Sequence, residues 1–154
     1  MSLEKNKAIV RRFIEEWNKR NLALLDELLA SDFIEGRNTP FEVRGPEGYR
    51  QFVTTLFKAF PDWHETIEDT IAEDDKVCVH LTATATHTGE WNFLGVALAP
   101  TGKKITYTAV NIWRIANGKI VERKSVRDLL AFLTLLGLIE PTEKGKKLFP
   151  DSAT

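Results

Sequence analysis

The chain has one cysteine, Cys78, in 154 residues. A lone thiol cannot close an intramolecular disulfide, so a reducing compartment, the cytoplasm, is the expected location. Histidine is scarce as well, with three in the chain. His80 and His87 share one strand pattern but differ in parity, so they face opposite sides. With only His64 besides, no metal site is expected. An excess of one charge is also missing. Lys and Arg number 21 against 22 Asp and Glu, a formal net charge of -1. That balance gives neither nucleic acid nor an anionic membrane a reason to bind. No apolar run approaches the length of a membrane span. The opening "MSLEKNKAIV" has no apolar core of a secretory signal.

The remaining composition is that of a globular domain, 43% apolar and 28% charged. The length fits one domain, and no repeat or linker divides it. Residues 1–140 read as that domain. Residues 141–154 read as a solvated C-terminal tail, poorly ordered after Pro141, where Lys144, Lys146 and Lys147 stand beside Glu143.

Helical periodicity comes first. "LEKNKAIVRRFIEEWNKRN" places Ala8, Ile9, Phe13 and Trp17 near one face, with Ser2 as a cap. "LALLDELLAS" predicts a second, shorter helix. "DFIEGRNTPFEVRG" is too rich in turn residues for a helix and reads as a short strand and a loop. "GPEGYRQFVTTLFKAFP" is a third helix, with Pro46 in its first turn and Pro61 at its end. The period then changes to two. "WHETIEDTIAEDD" alternates, and "KVCVHLTATATHTG" alternates strictly. "KKITYTAVNIWRIANGKIVERKSV" is two strands joined at Asn117–Gly118, a hairpin signal. An apolar helix from Leu129 to Leu136 follows, ending at Gly137. Helices and then a run of antiparallel strands argue an α+β fold, with helices covering one face of a curved sheet.

Strand parity then sorts the polar residues. Val77, Val79, Leu81, Ala83 and Ala85 form the face to be buried, and His87 falls on it. If the Thr faces align across the sheet, Tyr107, Asn111 and Trp113 point inward too. Asp128 shares parity with Val126 and Lys124. A packed core rarely holds so many polar groups without reason, since each needs a partner when buried. The small Ala83, Ala85 and Ala109 leave room beside them. Together these argue a cavity for a small apolar or aromatic molecule, with Trp17, Trp63, Trp91 and Trp113 offered as flat walls. Asp128 has two readings. It is a natural N-cap for the apolar helix, and it is a carboxylate able to move a proton in a cavity.

"FPDWHETIEDTIAEDDKV", "THTGEWNFLGVALAPTGKKITY" and "IWRIANGKIVERKSVRDLLAFLTLLG" resemble the SnoaL-like polyketide cyclases and their ester-cyclase relatives, of the nuclear-transport-factor-2-like, cystatin-like superfamily. The resemblance spans roughly residues 5–139. It implies a cone with an interior cavity between the helices and a curved antiparallel sheet. It also implies homodimers or homotetramers formed through the sheet. It further implies an intramolecular aldol ring closure without metal or cofactor. In that chemistry the acid/base position matches Asp128, and His87 lines the pocket. This sequence departs from the pattern at Lys124, where relatives often carry a bulky aromatic, and at Arg127, more polar than usual.

The expected function is therefore a cofactor-independent cyclase or isomerase. Asp128 would be the acid/base, and His87, Tyr107 and Asn111 would donate to a developing enolate. Two alternatives stand beside it. One is a non-catalytic ligand-binding or interaction module. The other is an enzyme like a steroid isomerase or an epoxide hydrolase, the latter needing an Asp–Arg–Asp cluster in the pocket.

Overall fold

The protein is described here by a computed structural model that covers residues 2–148. Two helices open the chain, α1 (Leu3–Asn18) and α2 (Leu22–Leu28). Ser2 caps α1, its hydroxyl accepting from the Lys5 N–H at 3.2 Å. The helix buries Asn6, Val10, Phe13, Ile14 and Trp17, a stripe at three- and four-residue spacing. Ala8, expected on that face, is exposed. The second helix stops earlier than its apolar run implied. Leu29 is already extended and opens strand β1 (Leu29–Glu35), which buries Leu29, Phe33, Ile34 and Glu35. A two-residue strand, β2 (Val43–Arg44), leads into helix α3 (Gly45–Ala59).

The long strands follow as β3 (His64–Glu73), β4 (Lys76–Thr86), β7 (Lys104–Ala116) and β8 (Lys119–Arg127). Between β4 and β7 lies a small separate hairpin of β5 (Trp91–Phe93) and β6 (Val96–Leu98). The main sheet has six strands in the order β2-β1-β8-β7-β4-β3. Every pairing is antiparallel except β1 with β8, which is parallel. The sheet is thus mixed, not wholly antiparallel as expected. β1 arrives from the helical half of the chain, and no hairpin ties it to β8 to impose the antiparallel direction.

Strand parity holds along the centre of the sheet. Val77, Val79, Leu81, Ala83 and Ala85 are buried, as are Ile105, Tyr107, Ala109, Asn111, Trp113 and Ile115. The register pairs Val79 with Asn111 and Ala83 with Tyr107. The Thr face lies outside, with Val110, Ile112 and Val126 exposed on it. Helices α1 and α3 pack on the inner face, so helices and sheet enclose a cone whose core is strongly aromatic.

The turn before β3 is a joint between layers. Asp62 accepts from the Thr86 N–H and hydroxyl, both at 2.7 Å. Burial would raise the Asp62 carboxyl, but these bonds outweigh it and hold it below its ordinary pKa. Arg20 donates to the carbonyls of Pro61 and Trp63 at 2.7 Å and lies 4.0 Å over the Phe57 ring. The N–H groups of Thr88 and Gly89 both donate to the Ala59 carbonyl at 3.0 Å, closing the end of α3. A Cβ at Gly89 would run into the Lys58 carbonyl oxygen. The His-Thr-Gly stretch is therefore a fastener for α3.

Helix α4 (Leu129–Leu135) closes the domain. Asp128 caps it, accepting from the Ala131 N–H at 2.9 Å. Gly137, with φ 75°, ends the helix, and the Leu138 N–H returns to the Leu133 carbonyl at 2.9 Å, the pattern of a left-handed C-terminal cap. The tail differs from expectation. Residues Glu143–Leu148 form a short helix, α5, that buries nothing. Residues 149–154, the rest of that tail, lie outside the described residues.

Two stability measurements check this. Gly89→Ala is expected to cost about 2 kcal/mol or more, because the obstacle is backbone and cannot swing away. Asp128→Ala is expected to cost about 1 kcal/mol, while Asp128→Asn stays close to wild type, since Asn also caps. Thermal or denaturant melting reads both.

Candidate functional site

The cone holds a cavity of about 260 Å³, walled by α1, α3, the sheet, α4 and the β5–β6 hairpin. Trp17, Trp63, Trp91, Tyr107 and Phe132 give it aromatic walls. Phe132 packs edge-on to Tyr107 and Trp91, with centroids at 5.3 and 5.5 Å. At the mouth, Phe41 stacks on Phe93 at 5.6 Å, and Leu94 on the hairpin tip is exposed. The opening thus has an apolar lip.

The polar groups come in rows set by strand register. On β7 and β8 the inward pairs are Trp113 with Arg123, Asn111 with Ser125 and Ala109 with Arg127. Arg123 lies deepest. It donates to Glu35 at 2.5 Å, and both side chains are buried. Its guanidinium also lies 4.9 Å from the Trp113 ring and 5.4 Å from the Tyr49 ring. Burial would lower the Arg123 pKa, but the Glu35 charge outweighs this and raises it. Above it, the Ser125 hydroxyl donates to Asn111 Oδ1 at 2.7 Å. Ser125 thus occupies the oxygen of Asn111, whose amide nitrogen donates to no described residue.

Glu65 stands on the other side. It lines the cavity from β3, in the row of Ala83 and Tyr107. Asn18 at the end of α1 fixes its backbone, donating to the Glu65 carbonyl at 2.8 Å and accepting from its N–H at 2.9 Å. The Trp63 indole N–H donates to the Glu65 carboxyl at 3.3 Å. Burial pushes that carboxyl above its ordinary pKa, against the pull of Arg123, the Trp63 N–H and Arg127. Burial likewise raises the Tyr107 phenol, which stays a neutral donor at working pH. A carboxyl held above its ordinary pKa by burial, bonded to an indole N–H in a chamber that a phenol and an amide also line, can take and return a proton.

Not every residue expected in the site is there. Trp17, Trp63, Trp91, Tyr107 and Asn111 line the cavity. Trp113 does not. It is fully buried beneath Arg123, packed 5.0 Å from Phe13. His87 is buried but also lies outside the lining. It stacks on Phe60 at 4.9 Å, and its Nδ1 sits 3.2 Å from the Thr101 hydroxyl. Burial lowers its pKa, so it is a neutral structural ring holding the turn before β7. Asp128 is exposed, on the outward parity of Lys124 and Val126. Its carboxylate caps α4 and does not line the cavity, although Arg127 and Leu129 on either side of it do. The outward parity also separates Lys124 from the cavity.

Glu35, Glu65, Arg123, Ser125 and Arg127 were not anticipated. Parity could have found at least three of them. Glu65 shares the face of Trp63, and Ser125 and Arg127 share the parity opposite Lys124. Glu35 depends on the irregular register of β1 against β8 between Leu29 and Ile34, which no pattern announces. Among the described residues no group of three or more His, Cys, Asp or Glu gathers in a way that could hold a metal. No described helix is long and apolar enough to cross a membrane.

Relatives share this architecture. The family model for SnoaL-like polyketide cyclase matches residues 7–136. The aklanonic acid methyl ester cyclase DauD of Streptomyces sp. (strain C5) is 27% identical, over 92% of this chain and 88% of that protein. The crystal structure of AclR from Streptomyces galilaeus superposes with a TM-score of 0.76 at 29% identity, covering 90% of this chain and 100% of that one. A SnoaL-like protein from Jannaschia sp. CCS1 gives 0.76 at 26% identity, over 89% and 94%. With the match to the family model spanning the helices, the sheet and the closing helix, the chain belongs to the SnoaL-like polyketide cyclase family.

Proposed function

We propose that the protein is a cofactor-independent cyclase or isomerase acting on an aromatic or polyketide-like carbonyl compound, with Glu65 as acid/base. The observation that carries this is a cavity-lining carboxyl with a raised pKa among neutral donors. The ionised Glu65 takes a proton from carbon beside a carbonyl. The electron pair moves to the carbonyl oxygen, which accepts hydrogen bonds from the Tyr107 hydroxyl and the Asn111 amide. The enolate carbon then bonds to a second carbonyl carbon of the same molecule. The new alkoxide takes back the proton from Glu65, and atoms and charge balance. The Trp17, Trp63 and Trp91 walls hold flat rings and keep water out. DauD, by its name a cyclase of a methyl ester, supports ring closure as the reaction class.

One observation favours a second reading. Glu35, Arg123 and Glu65 set an acid, an arginine and an acid in one cavity, the grouping epoxide opening requires. A substrate panel of polyketide intermediates, steroids and epoxides, with product analysis, separates ring closure from epoxide hydration and from binding without turnover.

The outer face of the sheet is proposed as the contact with a second copy. Thr106, Thr108, Val110, Ile112 and Val126 are exposed there, with Lys124 beside Ile112 and Ile71 exposed on the edge strand β3 in the row of Cys78 and Ile112. Monomers rarely leave so broad an apolar face in water. Light scattering at micromolar concentration is expected to give a dimer or tetramer, and Val126→Lys to shift it toward monomer. A monomeric wild-type mass would overturn this proposal.

For the acid/base, Glu65→Gln is expected to lower turnover about a hundredfold or more. Stability runs the other way. A carboxyl whose pKa is higher folded than unfolded stabilises the fold below its unfolded pKa and loses that contribution as pH rises through the folded value. Glu65→Gln removes this loss, so at neutral pH the variant is expected to melt no lower than wild type. Asp128→Asn is expected to keep full turnover. Full turnover in Glu65→Gln, or its loss in Asp128→Asn alone, would move the proton transfer off Glu65.

A further inference from the structure

Two arginines line the cavity, and they differ in how well they are satisfied. Arg123 has its counter-charge in Glu35 at 2.5 Å and two aromatic rings beside it. Arg127 stands two residues on, opposite Ala109, whose small inward side chain leaves space in front of the guanidinium. Its ion pair is with the same Glu35 oxygen, at 3.8 Å, and that oxygen already accepts from Arg123. Arg127 donates no hydrogen bond to any described residue, and about a third of its side chain is accessible.

A guanidinium presents five N–H donors in a planar fork that matches a carboxylate. A rim arginine facing water would need no partner. Arg127 is partly open to water but shares, by register, the inward face of a chamber with aromatic walls, where attraction for an anion is stronger than at a bare surface. Glu65, the other cavity carboxyl, makes no ion pair or hydrogen bond with Arg127; its carboxyl accepts from the Trp63 indole instead.

We propose that Arg127 anchors an anionic group, a carboxylate or a stabilised enolate of a β-dicarbonyl, so that the preferred ligand is an aromatic acid and not its neutral ester. This rests on the reading of the cavity as a ligand site. Arg127 is then the specificity residue at the mouth. It takes the acidic end of the ligand while the rings lie against Trp63 and Trp91.

The test uses the full chain and two matched probes, 2-naphthoic acid and methyl 2-naphthoate, titrated by calorimetry near neutral pH. The wild type is expected to bind the acid about tenfold or more tightly than the ester, the scale of a charge-assisted bond. Added salt should weaken the acid and leave the ester unchanged. Arg127→Gln should abolish the preference, the affinity for the acid falling to that for the ester. Its position in reach of solvent makes this substitution compatible with folding, which circular dichroism checks. Equal affinity for both probes in the wild type overturns the inference but leaves the cavity reading standing. A preference retained in Arg127→Gln also overturns it, placing the anion elsewhere. Binding of neither probe overturns both.

Discussion

The buried Glu35–Arg123 pair is the constraint around which the rest is arranged. It joins β1, the strand that comes from the helical half, to β8, the last strand of the sheet. Two charges removed from water are costly unless they are paired closely and the remaining donors find partners. The fold meets part of that demand with a 2.5 Å contact and the faces of Tyr49 and Trp113, while Glu35 Oε2 and Arg123 Nε find no partner among the described residues. Removing one partner of such a pair costs about 3–5 kcal/mol, because the other charge stays buried alone. The pair therefore fixes where β1 lies, and with it the far wall of the cavity.

Everything functional stands above that base. The β7–β8 register carries the inward row upward from Arg123 to Ser125 and Arg127. Each step changes the chemistry, from a close buried ion pair to a neutral hydrogen bond to a cation only loosely paired and partly open to water. Across the chamber, Asn18 ties the end of α1 to the backbone of Glu65, and Arg20 ties the following turn to the loop before β3. A position whose backbone is held by two bonds from the Asn18 side chain, with two more from Arg20 to the loop before it, is well suited to hold a reacting group still. Electrostatic depth and mechanical rigidity thus converge on Glu65.

Much of this was legible in the sequence. Strict alternation in β4 sorted inside from outside, because period two admits one answer once one face is apolar, and aligning the Thr faces across the sheet carried that answer to β7. Asn117–Gly118 placed the hairpin, and Gly137 ended α4. Tyr107, Asn111, Trp17, Trp63 and Trp91 came out where alternation and the aromatic pattern put them. The failures share a cause. Asp128 keeps the outward parity of Lys124 and His87 is buried on the inward one, yet neither reaches the cavity, because both stand at strand ends, where the chain turns into a helix or a loop. Asp128 satisfies α4 and His87 satisfies the turn at Thr101, and each bond points its side chain away from the cavity. Trp113 kept its inward parity but lies below the cavity floor, a depth that alternation does not encode. Glu35 required a parallel pairing and a register shift between residues distant in sequence, neither of which leaves a local signal.

The central claim is that Glu65 is a solvent-shielded carboxyl facing a ligand chamber. A pH titration by NMR, with glutamate labelled at the side-chain carboxyl carbon and Glu65→Gln used for assignment, tests it directly. The account predicts a Glu65 midpoint above the ordinary glutamate value of about 4.3, and a resonance that moves when an aromatic carbonyl ligand is added. A midpoint at or below that value, with no response to ligand, would contradict it.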